Sequence, residues 1–261
     1  MPNGIRALAA RALRPAVQAR GHRILRKRQS LVTRELDNTA ALERFAEGAP
    51  LPTDYGAGGN ERVIEIPWLL AQRPHGKMLD AGSALNHTEY LDHLQPSLDD
   101  LHIVTLVYEG SASPERGISY VYADLRSLPY EDECFDTIAS ISTLEHVGMD
   151  NTGYGSDAPA SSDPAHEIDL AVAELARVLK QGGRLFVTVP YGRHEDHPTF
   201  RQFDRHDLER LVAAAAPSQT AISVYRDRGD GWELTDLDEA SDASYRTDFA
   251  AEAVACVCLT R

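Results

Sequence analysis

The sequence predicts an α/β fold, a doubly wound sheet with helices on both faces. Two observations predict it. Short, almost wholly apolar runs alternate with segments whose apolar residues recur at helical spacing, which is how a parallel sheet buried on both sides reads. The first of those runs, within Lys77 to Asn86 (KMLDAGSALN), ends in an acid and a small-residue turn. Strand, acid, tight turn and helix is how an open parallel sheet presents a ligand at the carboxyl end of a strand. Gly82 is expected to let the backbone approach that ligand, because it has no Cβ. Ala84 stands where a second glycine would be, so the G-x-G-x-x-G dinucleotide fingerprint is absent.

The elements follow in order. Pro50 to Asn60 is dense in turn formers and reads as a linker. Glu61 to Gln72 reads as a helix around Ile64, Trp68 and Leu69, interrupted or begun afresh at Pro67. After the first strand, His87 to Leu94 is helix-compatible, and Leu101 to Val107 is a second, nearly all-apolar strand. Ile118 to Tyr122, Phe135 to Ile141 and Arg184 to Val189 are the third to fifth strands. Ile168, Val172, Leu175, Ala176 and Leu179 recur at 3.6 spacing, with Gly182-Gly183 read as the helix stop. Asp204 is suited to cap a helix over Asp207 to Ala215, ended by Pro217. Ala221 to Tyr225 and Ala253 to Leu259 complete seven strands, and the acidic stretch between them, Arg226 to Asp248, reads as a surface excursion.

Charge is unevenly spread. The 261 residues carry a net charge of −14, yet residues 1 to 34 hold nine Arg/Lys and no acid. The rest has 17 bases against 40 acids, a surface that does not invite a nucleic-acid backbone. The basic arm admits three readings: a helix seeking anionic lipid or the acidic body, an Arg-rich transit segment, or a solvated extension. No run approaches eighteen apolar residues, so no membrane-spanning helix is expected. Cys134, Cys256 and Cys258 make no disulfide framework, and a reducing cytoplasm is the expected location.

The order of signals after the first turn is specific. Glu109 ends the second strand, followed by Asp124 to Tyr130 (DLRSLPY), Cys134 to Ile138 (CFDTI), Ile141 to Val147 (ISTLEHV) and Ala176 to Gly183 (ARVLKQGG). From Lys77 to about Asp207 the chain resembles the class I S-adenosylmethionine-dependent methyltransferases. The resemblance implies a Rossmann-like, mostly parallel seven-stranded sheet with an antiparallel last strand. Together with the charge and turn patterns above, it divides the chain into three expected regions: a basic N-terminal helical arm (1–50), a linker and entering helix (51–76) and a methyltransferase domain (77–261).

The same resemblance implies S-adenosylmethionine as cofactor. It assigns Asp80, Ala81, Gly82 and Ser83 to the methionine end, Glu109 to the ribose, Asp124 and Leu125 to the adenine, and Ser142 to the wall beside it. The donor is a sulfonium with a ribose diol and an adenine, so it needs acceptors and a close backbone rather than a phosphate cradle.

On the acceptor side, His146 is the candidate general base, because a group titrating near 6.5 suits proton removal close to neutrality. Gly148 to His166 reads as a substrate loop containing Asp150 and Tyr154, with Glu145 just before it. Tyr191, His194 and Arg201 follow the fifth strand and are the remaining acceptor candidates. His194 to His197 (HEDH) supplies no secured third ligand, so no metal site is assigned. The expected function is methyl transfer to a small-molecule or glycan acceptor, at oxygen. The alternative is an inactive cofactor-binding or scaffold protein of the same fold.

Overall fold

The structure, a computed structural model, describes residues 29–108, 110–155, 159–246 and 250–261. Among them eight strands form one sheet: β1 (Gly76–Ala81), β2 (Leu98–Thr105), β3 (Ser119–Tyr122), β4 (Phe135–Ile141), β5 (Leu179–Pro190), β6 (Gln219–Asp227), β7 (Trp232–Thr235) and β8 (Ala253–Thr260). They lie in the order β3-β2-β1-β4-β5-β8-β6-β7. The pairs among β1 to β5 are parallel, and β8 runs antiparallel to both β5 and β6. The strand order turns back between β1 and β4, which is where such a sheet opens a crevice for a ligand.

The expected seven strands are eight. Arg226 to Asp248 is not a surface excursion throughout, because Trp232 to Thr235 pairs antiparallel with β6 and Trp232 is buried. Ala240 and Ala243, from the same acidic stretch, are also buried. Short apolar anchors between charged residues suffice to close a sheet edge.

Period-two alternation divides the core. Leu79, Ala81, Leu185, Val187, Val189, Ala255 and Val257 face α4 (Pro164–Val178) and α5 (Arg205–Ala215). Met78, Phe186, Val254 and Cys256 face helical residues 29–36 with α1 (Thr39–Glu47), α2 (Arg62–Ala71) and α3 (Thr88–Leu94). Each fully buried Leu, Ile or Phe contributes about 1.5–3 kcal/mol. Asp163 caps α4 through the His166 amide, and Asp204 with Asp207 forms a capping box on α5. The Gly182-Gly183 pair does not stop α4, which ends at Val178. It kinks the start of β5, where the register against β4 shifts.

Pro67 does not interrupt α2, and the reason is local. Proline has no N–H for the carbonyl one turn back. That carbonyl, Val63 O, instead accepts from the Tyr55 hydroxyl at 2.8 Å. Tyr55 itself is buried, so Pro50 to Asn60 is tied into the core. Residues 1–28, with eight of the nine bases of the arm, lie outside the described residues. No described helix is long and apolar enough to cross a membrane.

Candidate active site

A cavity of about 480 Å³ opens at the carboxyl ends of the parallel strands. Its volume is in the range of small-molecule sites. Gly82 and Ala84 after β1, residues 104–108 at the end of β2, and residues 123–126 after β3 form one side. Ser142, Thr143 and His146 after β4, with Asn151 and Ser161 of the following loop, form the other, and Arg62 reaches in from α2.

Of the residues expected at the cofactor, Gly82, Asp124, Leu125 and Ser142 line this cavity. Asp80, Ala81 and Ser83 lie behind its wall and are buried. Asp80 accepts from the Leu85 amide at 2.9 Å and thereby shapes the turn. Gly82 has φ +125, and Ser83, at φ 64, is also left-handed. Glu109 is outside the described residues. Asp124 accepts from the Arg126 guanidinium at 2.9 Å and from its amide at 2.9 Å, and the Arg126 hydrogen bonds hold its carboxyl below the usual range.

Ser142 is strained, and two residues hold it. Its φ is 41, a left-handed conformation that strains a residue with a side chain. Its amide donates to Thr188 O at 3.0 Å, and its hydroxyl donates to Glu65 at 2.5 Å. That turn leads into Leu144 to His146, a single tight helical turn. His146 lines the cavity with Nδ1 2.6 Å from the Thr199 carbonyl. A carbonyl can only accept, so Nδ1 carries the proton and Nε2 is the acceptor nitrogen of the ring. Burial holds the imidazole below its usual 6.5, with Arg62 adding to this and the Thr199 contact opposing it.

Glu145 points the other way. It is buried, and its Oε2 has no hydrogen-bond partner among the described residues. Burial first, and then Glu65 and Glu61, push its carboxyl well above the ordinary range against the pull of Arg62. Asp150 is bonded to Thr152 at the mouth of the loop. The side chain of Tyr154 is outside the described set.

The acceptor candidates after β5 do not line the cavity. Tyr191 is buried, and its hydroxyl donates to Leu237 O at 2.9 Å. Arg201 is buried and donates to both oxygens of Asp196, at 2.6 and 3.0 Å. His194 lies 2.7 Å from Asp207. His194, Asp204 and Asp207 could present three metal-ligand atoms together, but both aspartates already serve the capping box.

Arg62 and Glu65 were not singled out from the sequence. The available signal was a carboxylate one residue after Ile64 on a helix whose only other charge is Arg62, three residues back, a place where a charge needs a partner.

Comparison with known proteins adds a family match over part of the chain. Residues 104–187 match a family model described as a methyltransferase domain. A curated malonyl-[acyl-carrier protein] O-methyltransferase of Herminiimonas arsenicoxydans is 33% identical over 112 residues, which are 42% of this chain and 35% of that protein. The matched stretch therefore spans about a third of that relative's length. Two solved structures are similar at low identity. A Thermotoga maritima S-adenosylmethionine-dependent methyltransferase, described as a possible histamine N-methyltransferase, is 14% identical. The match covers 89% of this chain and 99% of that one, with a TM-score of 0.49. The Burkholderia thailandensis 1,6-didemethyltoxoflavin-N1-methyltransferase, with 1,6-didemethyltoxoflavin and S-adenosylhomocysteine bound, is 16% identical. It covers 73% of each chain, with a TM-score of 0.46.

Proposed function

We propose that this chain, which belongs to the class I S-adenosylmethionine-dependent methyltransferases, moves a methyl group from S-adenosylmethionine to an oxygen of a small-molecule or glycan acceptor. The carrying observation is the cavity at the strand ends, with Gly82, Asp124, Ser142 and His146 on its walls.

The wall chemistry fits the donor. Asp124 offers a carboxylate to amine or hydroxyl donors, and Arg62 offers a cation to a carboxylate. Among the described residues no lysine lines the cavity, and none is needed by a ligand without phosphate. The bound cofactor supplies a methyl group made electrophilic by its sulfonium.

The chain's residues then have two tasks. The first is to hold the acceptor in line, since orientation alone supplies much of the catalysis in a direct displacement. The loop after His146, with Met149, Asn151, Pro159 and Ser161 on the cavity wall, is suited to cover and orient it. The second is to take the hydroxyl proton. His146 is the acid–base group for this, neutral at pH 7 and with its tautomer set by Thr199. Proton transfer would go from the acceptor hydroxyl to Nε2 as the oxygen–methyl bond forms.

The O-methyltransferase activity of the curated relative supports oxygen as the atom methylated, and a carrier-bound acceptor belongs to the same proposal. Glu145, Asp150, Tyr154, Tyr191, His194 and Arg201 were expected at the acceptor. The cavity favours the loop residues over those after β5.

The test is calorimetric titration with S-adenosylmethionine and S-adenosylhomocysteine, with NADH as control. Micromolar binding of the first two and none of the third is expected. An acceptor screen then reads release of S-adenosylhomocysteine. Binding without turnover on any hydroxyl acceptor would favour the non-catalytic alternative, and no binding would remove the proposal.

A further inference from the structure

We propose that Glu65 is the positioning residue of this cavity: one carboxylate oxygen aims the Arg62 guanidinium at a carboxylate of the bound ligand, and the other fixes Ser142. The inference rests on the methyl-donor reading above and says which part of the donor this corner takes, its amino-acid end.

Glu65 is fully buried on α2, a helix in which Ile64, Ile66, Trp68 and Leu69 are buried too. An apolar side chain would satisfy packing there, whereas a buried carboxylate costs several kcal/mol unless its lone pairs are filled. Glu65 fills them from three places in the fold. Oε2 meets Arg62 at 2.6 Å, one helical turn back. Oε1 accepts from Ser142 at 2.5 Å and from Thr188 at 2.7 Å, so it joins α2 to the ends of β4 and β5. What the carboxylate adds to packing is direction.

Two cavity-lining groups receive that direction. The first is Arg62, whose side chain is 28% exposed and lines the cavity. Its guanidinium has Glu65 as its one hydrogen-bond partner among the described residues. A guanidinium has five N–H donors in a planar fork, so the remainder can be offered to a planar anion. Burial works against the charge on Arg62, but Glu65, Glu61 and Glu145 outweigh it. Burial raises the carboxyls of Glu145 and of Glu61, the latter to about 7, so the carboxylate that Arg62 meets at closest range is that of Glu65.

The second is Ser142. A left-handed conformation costs a residue with a side chain about 1–3 kcal/mol unless its surroundings hold it. The Glu65 carboxylate and the Thr188 carbonyl are what hold it. Glu65 thus acts on the ligand through two intermediaries while touching none of it.

The experiment compares two ligands that differ only at the proposed contact. S-Adenosylhomocysteine carries the amino-acid end, and 5′-methylthioadenosine has the same adenine, ribose and thioether without it. Glu65→Gln keeps an acceptor for both hydroxyls while removing the charge that orients Arg62, and Arg62→Met removes the cation. Each variant is expected to lose about tenfold in S-adenosylhomocysteine affinity and less than about twofold for 5′-methylthioadenosine, as the loss of one charge-assisted contact predicts.

Equal losses for both ligands would mean a structural role only, and an unchanged S-adenosylhomocysteine affinity would mean that no carboxylate sits at Arg62. Either overturns the inference. Wild-type protein that binds neither ligand overturns the methyl-donor reading instead. If Glu65→Gln does not fold, by circular dichroism and melting, Arg62→Met decides by the same two criteria.

Discussion

Thr143 occupies the space that a side chain at residue 82 would need. A Cβ built on Gly82 would lie 2.7 Å from the Thr143 Cβ and closer still to its hydroxyl, and Gly82 holds φ +125. Glycine is therefore required by the neighbouring loop as well as by any ligand. Gly82→Ala should destabilise the fold by about 2 kcal/mol or more, through clash and backbone strain together. Adding Thr143→Gly should recover only the steric part. Denaturant midpoints of the wild type and the two variants measure both, and an unchanged midpoint for Gly82→Ala would contradict the account.

His146 should set the acid side of the pH profile. Only its neutral form accepts a proton, and burial holds its titration below 6.5. Activity on a hydroxyl acceptor should then be flat at and above neutrality and fall as the ring is protonated below that range. His146→Ala should lower kcat by about 10²–10⁴-fold while leaving S-adenosylhomocysteine affinity nearly unchanged. A falling limb that begins above pH 6.5 would rule His146 out as the titrating group.

Glu145→Gln should stabilise the protein. Burial raises the folded-state carboxyl well above its ordinary 4.5, so at pH values between the two folding takes up a proton. Stability is consequently lost as pH rises from the unfolded value through the raised folded one. The amide removes that loss, so the gain should be largest at neutral pH and vanish near pH 4. Each kcal/mol recovered raises Tm by about 2–4 °C in a chain of this size. A melting series from pH 4 to 8 reads the trend, and a gain independent of pH would refute it.

Tyr191→Phe should cost about 0.5–1.5 kcal/mol, the value of the hydrogen bond to Leu237 O, and leave the KM for acceptor unchanged. A raised KM with unaltered stability would return Tyr191 to the acceptor site.

How much could be read from the sequence depended on burial. Phe135 to Ile141 was bounded to the residue, because Phe135, Ile138, Ala139 and Ile141 supply both core faces and the acidic residues 131–133 stand just before them. Trp232 to Thr235 was hidden, since a four-residue edge strand has one apolar face and its acidic flanks dominated the composition. The direction of Tyr191 could be read from strand period: Val187, Val189 and Tyr191 share the core face, so the ring turns inward. In the site, the strand-end positions Gly82, Asp124, Ser142 and His146 were legible from their order along the chain. Arg62 and Glu65 were not, because their link to Ser142 spans 77 residues and only the docking of α2 brings them together.

Strand β8 lies in the interior of the sheet, between β5 and β6, although it follows both in the chain. Until residues 253–260 have been synthesised, β5 and β6 are separate open edges with unpaired backbone groups facing one another. Unpaired edges of this kind invite pairing with other chains. A nascent chain paused near residue 250 would therefore expose two adhesive borders at once. One eight-residue segment seals both, so the stage before residues 253–260 emerge is an aggregation-sensitive one for this protein.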